Sequence, residues 1–184
     1  MNFKYIILQI VLAVGILPRQ LLSQQFKEFE PEKRPFSGTF KEFKFDDTFE
    51  PLCHIVSPNY CIFVTYILNS TDKDYGRKLF LLKADKATEK VAFVSTGSAD
   101  SYLMAPHYFR AKGQNNRILI LCELATEYSW GFRVFLFENG QIKDIGELDI
   151  AKNIPDDSEP DSALSALKIR ETEKGIEFAF RGKL

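Results

Sequence analysis

The chain is poor in the residues that most often carry chemistry. It has two histidines, three cysteines and one tryptophan in 184 residues. No Walker-type phosphate loop, Gly-rich dinucleotide turn, G-x-S-x-G elbow or H-E-x-x-H pair occurs. Neither His54 nor His107 has metal-ligand spacing to the other or to a cysteine. Cys53 and His54 are adjacent in a predicted strand, so their side chains point to opposite faces. No metal and no cofactor is therefore expected. The odd number of cysteines leaves at least one thiol unpaired. There is no repeat of about 40 residues, which argues against a multi-bladed propeller.

Long apolar runs are also scarce. The N-terminal run, Tyr5–Leu17, has thirteen residues, short of the roughly 20 that span a bilayer. Lys4 precedes it and Pro18-Arg19 ends it, so Met1–Ser23 reads as a secretory signal peptide, although Leu21 stands where a small residue is preferred. Cleavage after Ser23 or one residue later would leave an exported chain, periplasmic or extracellular, with no stable membrane span. Of the 24 basic residues, Lys4 and Arg19 fall in the removed part, leaving 22 against 25 acidic ones. A net charge of −3 gives no reason to expect nucleic acid or an anionic membrane as partner.

What is abundant is extended-chain hydrophobicity. Hydrophobic residues make up 45 % of the sequence and include seventeen phenylalanines, which excludes wholesale disorder. Residues 24–38 mix charge with Pro31 and Pro35 and read as a flexible or loosely docked lead-in to a single domain over 39–184. Thr39–Phe45 is predicted as an edge strand. Leu52–Ser57 and Tyr60–Leu68 are predicted strands around Pro58-Asn59, and Arg77–Ala84 and Val91–Ser95 form the next hairpin. Thr96–Pro106 reads as a connection and His107–Ala111 as a short strand.

Arg117–Ile150 is the best-specified segment. Ile118–Cys122 and Phe132–Phe137 are nearly continuous apolar runs, as strands covered on both faces are. Asn139-Gly140 is a strong type I′ hairpin signal. That turn sets Phe137 opposite Ile142, Val134 opposite Ile145 and Asp144 opposite Phe135, with Asp144 diagonal to Arg133 and within reach of a salt bridge. Ile142, Ile145, Leu148 and Ile150 do not share one parity, so a bulge is expected near Asp144–Gly146. In the last hairpin, Leu167 should face Phe180 and Ile169 should face Phe178, across a two-residue loop at Glu173-Lys174 or a four-residue loop over Thr172–Gly175. No convincing helical period appears after the signal. The reading is all-β: an antiparallel meander of about nine to eleven strands in a sandwich or barrel, with propeller-like blades less well supported.

Several clusters could bear function. Cys53 and Cys61 are the natural disulfide pair, yet a two-residue Pro58-Asn59 loop would place them on opposite faces. Cys122 reads as a core thiol. Glu123, Glu127, Asp144 and Glu147 could supply the carboxylate pair of a secreted hydrolase. Glu127, Tyr128 and Trp130 sit at a loop between two central strands, where aromatics can stack on a sugar or a partner surface. Asp156, Asp157, Glu159 and Asp161 lack EF-hand spacing and read as a solvated loop. Asn69-Ser70-Thr71 is a glycosylation sequon. No nucleophile–base–orienter set and no catalytic residue emerges. The functional expectation is an exported, non-enzymatic binding or interaction protein that engages a glycan or envelope protein. The carboxylate hydrolase and a barrel carrying a small apolar ligand are the alternatives.

Overall fold

A computed structural model describes residues 24–36, 40–45, 52–68, 74–85, 88–98, 101–126, 129–150, 164, 167–172 and 175–180. Its first six strands are β1 (Gln24–Phe29), β2 (Glu32–Pro35), β3 (Leu52–Ser57), β4 (Tyr60–Tyr66), β5 (Arg77–Asp85) and β6 (Thr88–Val94). The remaining six are β7 (Leu103–Ala111), β8 (Arg117–Ala125), β9 (Ser129–Glu138), β10 (Gln141–Asp149), β11 (Leu167–Thr172) and β12 (Gly175–Phe180). The pairing is antiparallel throughout, in the orders β10-β9-β8-β7-β1-β11-β12 and β2-β3-β4-β5-β6. The all-β reading holds, as a layered sandwich. Among the described residues no sheet closes into a barrel.

The seven-stranded sheet is folded at β1. Gln24 and Gln25 pair with β11, whereas Phe26–Phe29 pair with β7. The β11–β12 hairpin thereby lies over the outer face of β7–β10, where Ile169, Ile176 and Phe178 meet Leu119, Leu121, Phe132, Val134 and Leu136. Arg117 secures the layer by ion-pairing with Glu171. On the other face Tyr108, Ile118, Ile120, Phe135 and Phe137 pack against Val56, Ile62, Leu79 and Leu81 of the five-stranded sheet. The central runs are apolar on both faces because they form the middle of three layers.

A third core lies on the far side of the five-stranded sheet. Phe63 stacks on Phe80 at 4.8 Å and on Phe36 at 4.6 Å, with Phe43 and Phe45 edge-on to Phe80. In a flat sheet the two edge strands would stand about 19 Å apart, at about 4.8 Å per strand. Arg34 of β2 nevertheless ion-pairs with Glu89 of β6. The sheet is therefore curled around its phenylalanines.

Several expectations need correction. Within the expected lead-in, residues 24–36 are not loose; they supply β1 and β2, because Phe26 is buried in the outer core and both strands find partners, while residues 37 and 38 lie outside the described residues. Residues 40–45 form a turn, Phe43 N–H donating to the Phe40 carbonyl, and pair through an isolated bridge from Phe45 to Ile67, so the predicted edge strand is instead an aromatic cap. β7 begins at Leu103 and runs through Pro106, so the end of the connection expected over Thr96–Pro106 is strand. In the central hairpin Phe137 faces Ile142 and Asp144 faces Phe135 as expected, but Val134 faces Gly146 rather than Ile145. The anticipated bulge sits at Ile145, and Gly146 takes φ 126° there. The last hairpin has the expected register with its two-residue loop, Thr172 facing Gly175.

Candidate functional site

The course of β1 creates the cleft of interest. β1 pairs β7 only along Tyr108–Ala111; it then turns at Glu30-Pro31 and crosses to the other sheet as β2. On that side of β7, Leu103–His107 carry no strand partner among the described residues. Proline is tolerated in a strand at such an edge because it has no N–H to donate. A cleft of about 450 Å³ opens there, lined by Glu28, Phe29, Glu30, Pro31, Lys33, His54, Pro106, His107 and Tyr108. His107 and Tyr108 point to opposite faces of one strand, so the cleft wraps around the edge of β7.

Both histidines of the chain line this cleft. His107 is held between two carboxylates, with Nδ1 3.5 Å from Glu28 and Nε2 3.3 Å from Glu123. His54 faces the inter-sheet core from β3, opposite Ile62. Its Nδ1 lies 2.8 Å from the Tyr108 hydroxyl, and the two rings meet edge-on at 5.3 Å. Burial, reinforced by Lys33, drives the His54 pKa down to about 4, so the ring is neutral at pH 7. Burial also pushes the Tyr108 phenol well above its ordinary value. A buried hydroxyl needs an acceptor, so Tyr108 donates to Nδ1 of neutral His54. Phe29 lies beside Tyr108 and under the Arg110 guanidinium, 4.0 Å from the ring centre. Lys33 ion-pairs with Glu30 at 2.6 Å.

The cleft lining thus sets two carboxylates, Glu28 and Glu30, against Lys33, with Glu123 behind His107. Its floor mixes an aromatic ring with two prolines. No serine, threonine or cysteine lines it. Such a set can accept hydrogen bonds from a ligand and hold a proton, while the Tyr108 hydroxyl in the lining is buried and engaged by His54.

The residues singled out from sequence do not assemble at this cleft. Glu127 and Tyr128 lie outside the described residues, as do the 156–161 acidic loop and the 69–71 sequon. Trp130 falls near the start of β9. Glu123 pairs with Phe132 and shares the outer face, whereas Asp144 pairs with Phe135 and faces the inter-sheet core. Those two carboxylates are on opposite sides of the sheet and cannot flank one bond. Asp144 instead binds Arg133 at 2.6 Å, the salt bridge the register anticipated. Sequence reasoning missed that His54 and His107 line one cleft. The available signal was Pro106-His107 within a strand, which marks an unpaired edge.

The cysteine geometry also differs from expectation. The Pro58-Asn59 turn does have two residues, with Ser57 facing Tyr60, but the register shifts between Ile55 and Ser57. Cys61 consequently faces Ile55, and Cys53 joins it on the curled inner face. All three cysteines are free thiols, and burial raises the pKa of Cys122.

No protein-family model, curated protein or solved structure matches the chain.

Proposed function

We propose that this is an exported, non-enzymatic binding protein whose ligand is a small hydroxyl-rich molecule, a saccharide, taken at the Glu28–His107 cleft. The observation that supports this most is the convergence of His54, His107, Glu28 and Glu30 around a Phe29–Pro31–Pro106 floor. Carboxylate and imidazole acceptors suit sugar hydroxyls, and apolar rings suit the C–H face of a pyranose. A volume of about 450 Å³ falls within the roughly 300–1,000 Å³ of small-molecule sites.

Calorimetric titration with mono- and disaccharides tests the reading. Glu28→Gln or His107→Ala should weaken binding by about tenfold, the value of one charge-assisted hydrogen bond. Saccharide binding that both substitutions leave unchanged, or no binding by the wild-type chain, refutes it. A ligand seated instead on Glu127, Tyr128 and Trp130 would change the fluorescence of the single tryptophan and survive both cleft substitutions.

A further inference from the structure

We propose that Cys53 and Cys61 are a redox-active dithiol that closes to a disulfide on reaction with a low-molecular-weight disulfide, with Cys61 as the attacking sulfur. The geometry comes from the bulge between Ile55 and Ser57. It reverses the parity of the first half of β3, so Cys53 and Cys61 lie diagonal to one another on one face of the β3–β4 hairpin.

The two sulfurs differ in their surroundings. Arg34 lies opposite Cys53 on β2, and its Nη2 reaches 3.7 Å from the Cys61 sulfur while also pairing with Glu89. The guanidinium thus donates to Cys61, which favours its thiolate. The neighbouring Cys53 thiol, with Arg34, holds the Cys61 pKa below its ordinary value; the Cys61 sulfur, with burial, raises that of Cys53. Cys61 is 5 % exposed, and Arg34, whose side chain is 38 % exposed, is its cover. Cys122 belongs to the inter-sheet core and takes no part.

The reaction balances as two exchanges. The Cys61 thiolate attacks one sulfur of the external disulfide, forming a mixed disulfide and releasing one small thiolate. Cys53 then gives up its proton and attacks the Cys61 sulfur. This forms the Cys53–Cys61 bond and releases the second small thiol. Two electrons and two protons pass from the protein to the external disulfide, and excess small dithiol reverses both steps.

The test uses the folded wild-type protein, incubated with oxidised glutathione, quenched with acid, denatured and mapped. Free thiols should fall from three to one, the survivor being Cys122, with Cys53 and Cys61 joined in the linked peptide; dithiothreitol should restore all three. Cys53→Ser should trap glutathione on Cys61, whereas Cys61→Ser should leave Cys53 unmodified. Arg34→Gln should slow the first exchange and shift its rate profile to higher pH. The slowing should be about threefold per unit of thiol pKa, because thiolate is lost tenfold while nucleophilicity partly compensates. Arg34→Lys should recover part of the rate. Three thiols persisting in the wild type, a link involving Cys122, or glutathione trapped on Cys53 would each overturn the proposal. The wild-type map decides even if a serine variant fails to fold.

Discussion

Arg133 offers the sharpest test of how the layers are held. Its side chain is only 7 % exposed, yet it reaches five acceptor atoms. Nη1 donates to the Thr96 carbonyl at 2.8 Å and the Ser98 hydroxyl at 3.3 Å, with a longer approach to the Gly97 carbonyl. Nη2 donates to the Thr96 hydroxyl and to Asp144, each at 2.6 Å. Arg133 thus pins the segment after β6 to the centre of the other sheet. Replacing it with methionine keeps an unbranched stem beside Phe135 and removes every donor. Breaking a fully buried pair from one side costs about 3–5 kcal/mol, but Asp144 is 35 % exposed and regains water. The expected loss for Arg133→Met is about 3 kcal/mol, most of it from the orphaned Thr96 and Ser98 groups. Asp144→Asn should cost about 1 kcal/mol, and the double-mutant coupling should stay below about 1 kcal/mol. Urea denaturation at pH 7, extrapolated linearly, measures all three. In heating, Arg133→Met should lower the Tm by about 6–12 °C. If Asp144→Asn proves as costly as Arg133→Met, the carboxylate rather than the 96–98 segment is the main partner. A loss under about 1 kcal/mol for Arg133→Met would mean that desolvating the guanidinium cancels its contacts.

Two further outcomes follow from single positions. A Cβ at Gly131 would fall inside contact distance of the Leu148 carbonyl oxygen, so Gly131→Ala should force β9 from β10 and cost about 2 kcal/mol or more, read by denaturation. An unchanged midpoint would show that the pair of strands yields freely there. His54 has a folded pKa below its ordinary 6.5, so its neutral form contributes stability that is fully present above that value. That contribution is lost as pH falls toward about 4; discounted for a half-exposed ring it amounts to about 1–2 kcal/mol. Stability measured across that window should flatten in His54→Gln, and an equally steep profile in the variant would assign the effect to other groups.

Local pairing was legible in the chain to the level of individual partners. Asn139-Gly140 sets the central hairpin because left-handed backbone is needed at both positions, and they adopt φ 51° and 80°. The parity conflict among Ile142, Ile145 and Leu148 revealed the bulge, and the register revealed the Arg133–Asp144 bond. At Val56 no glycine and no parity conflict marks the β3–β4 bulge, so Cys53 and Cys61 read as separated when they share a face. Residues 24–38 read as loose because charge and proline mask two short strands whose partners are remote in sequence.

The chain's own pattern of turns and apolar runs settles that the protein is all-β and antiparallel, because a hairpin's register depends on neighbouring residues alone. Which faces meet is a different matter. That β1 serves both β7 and β11, that it then crosses to β3, and that His54 and His107 line one cleft at the edge it vacates all depend on pairings between distant segments. Backbone hydrogen bonding is indifferent to side-chain identity, so only the packing of the three layers against one another selects those partners, and with them the cleft.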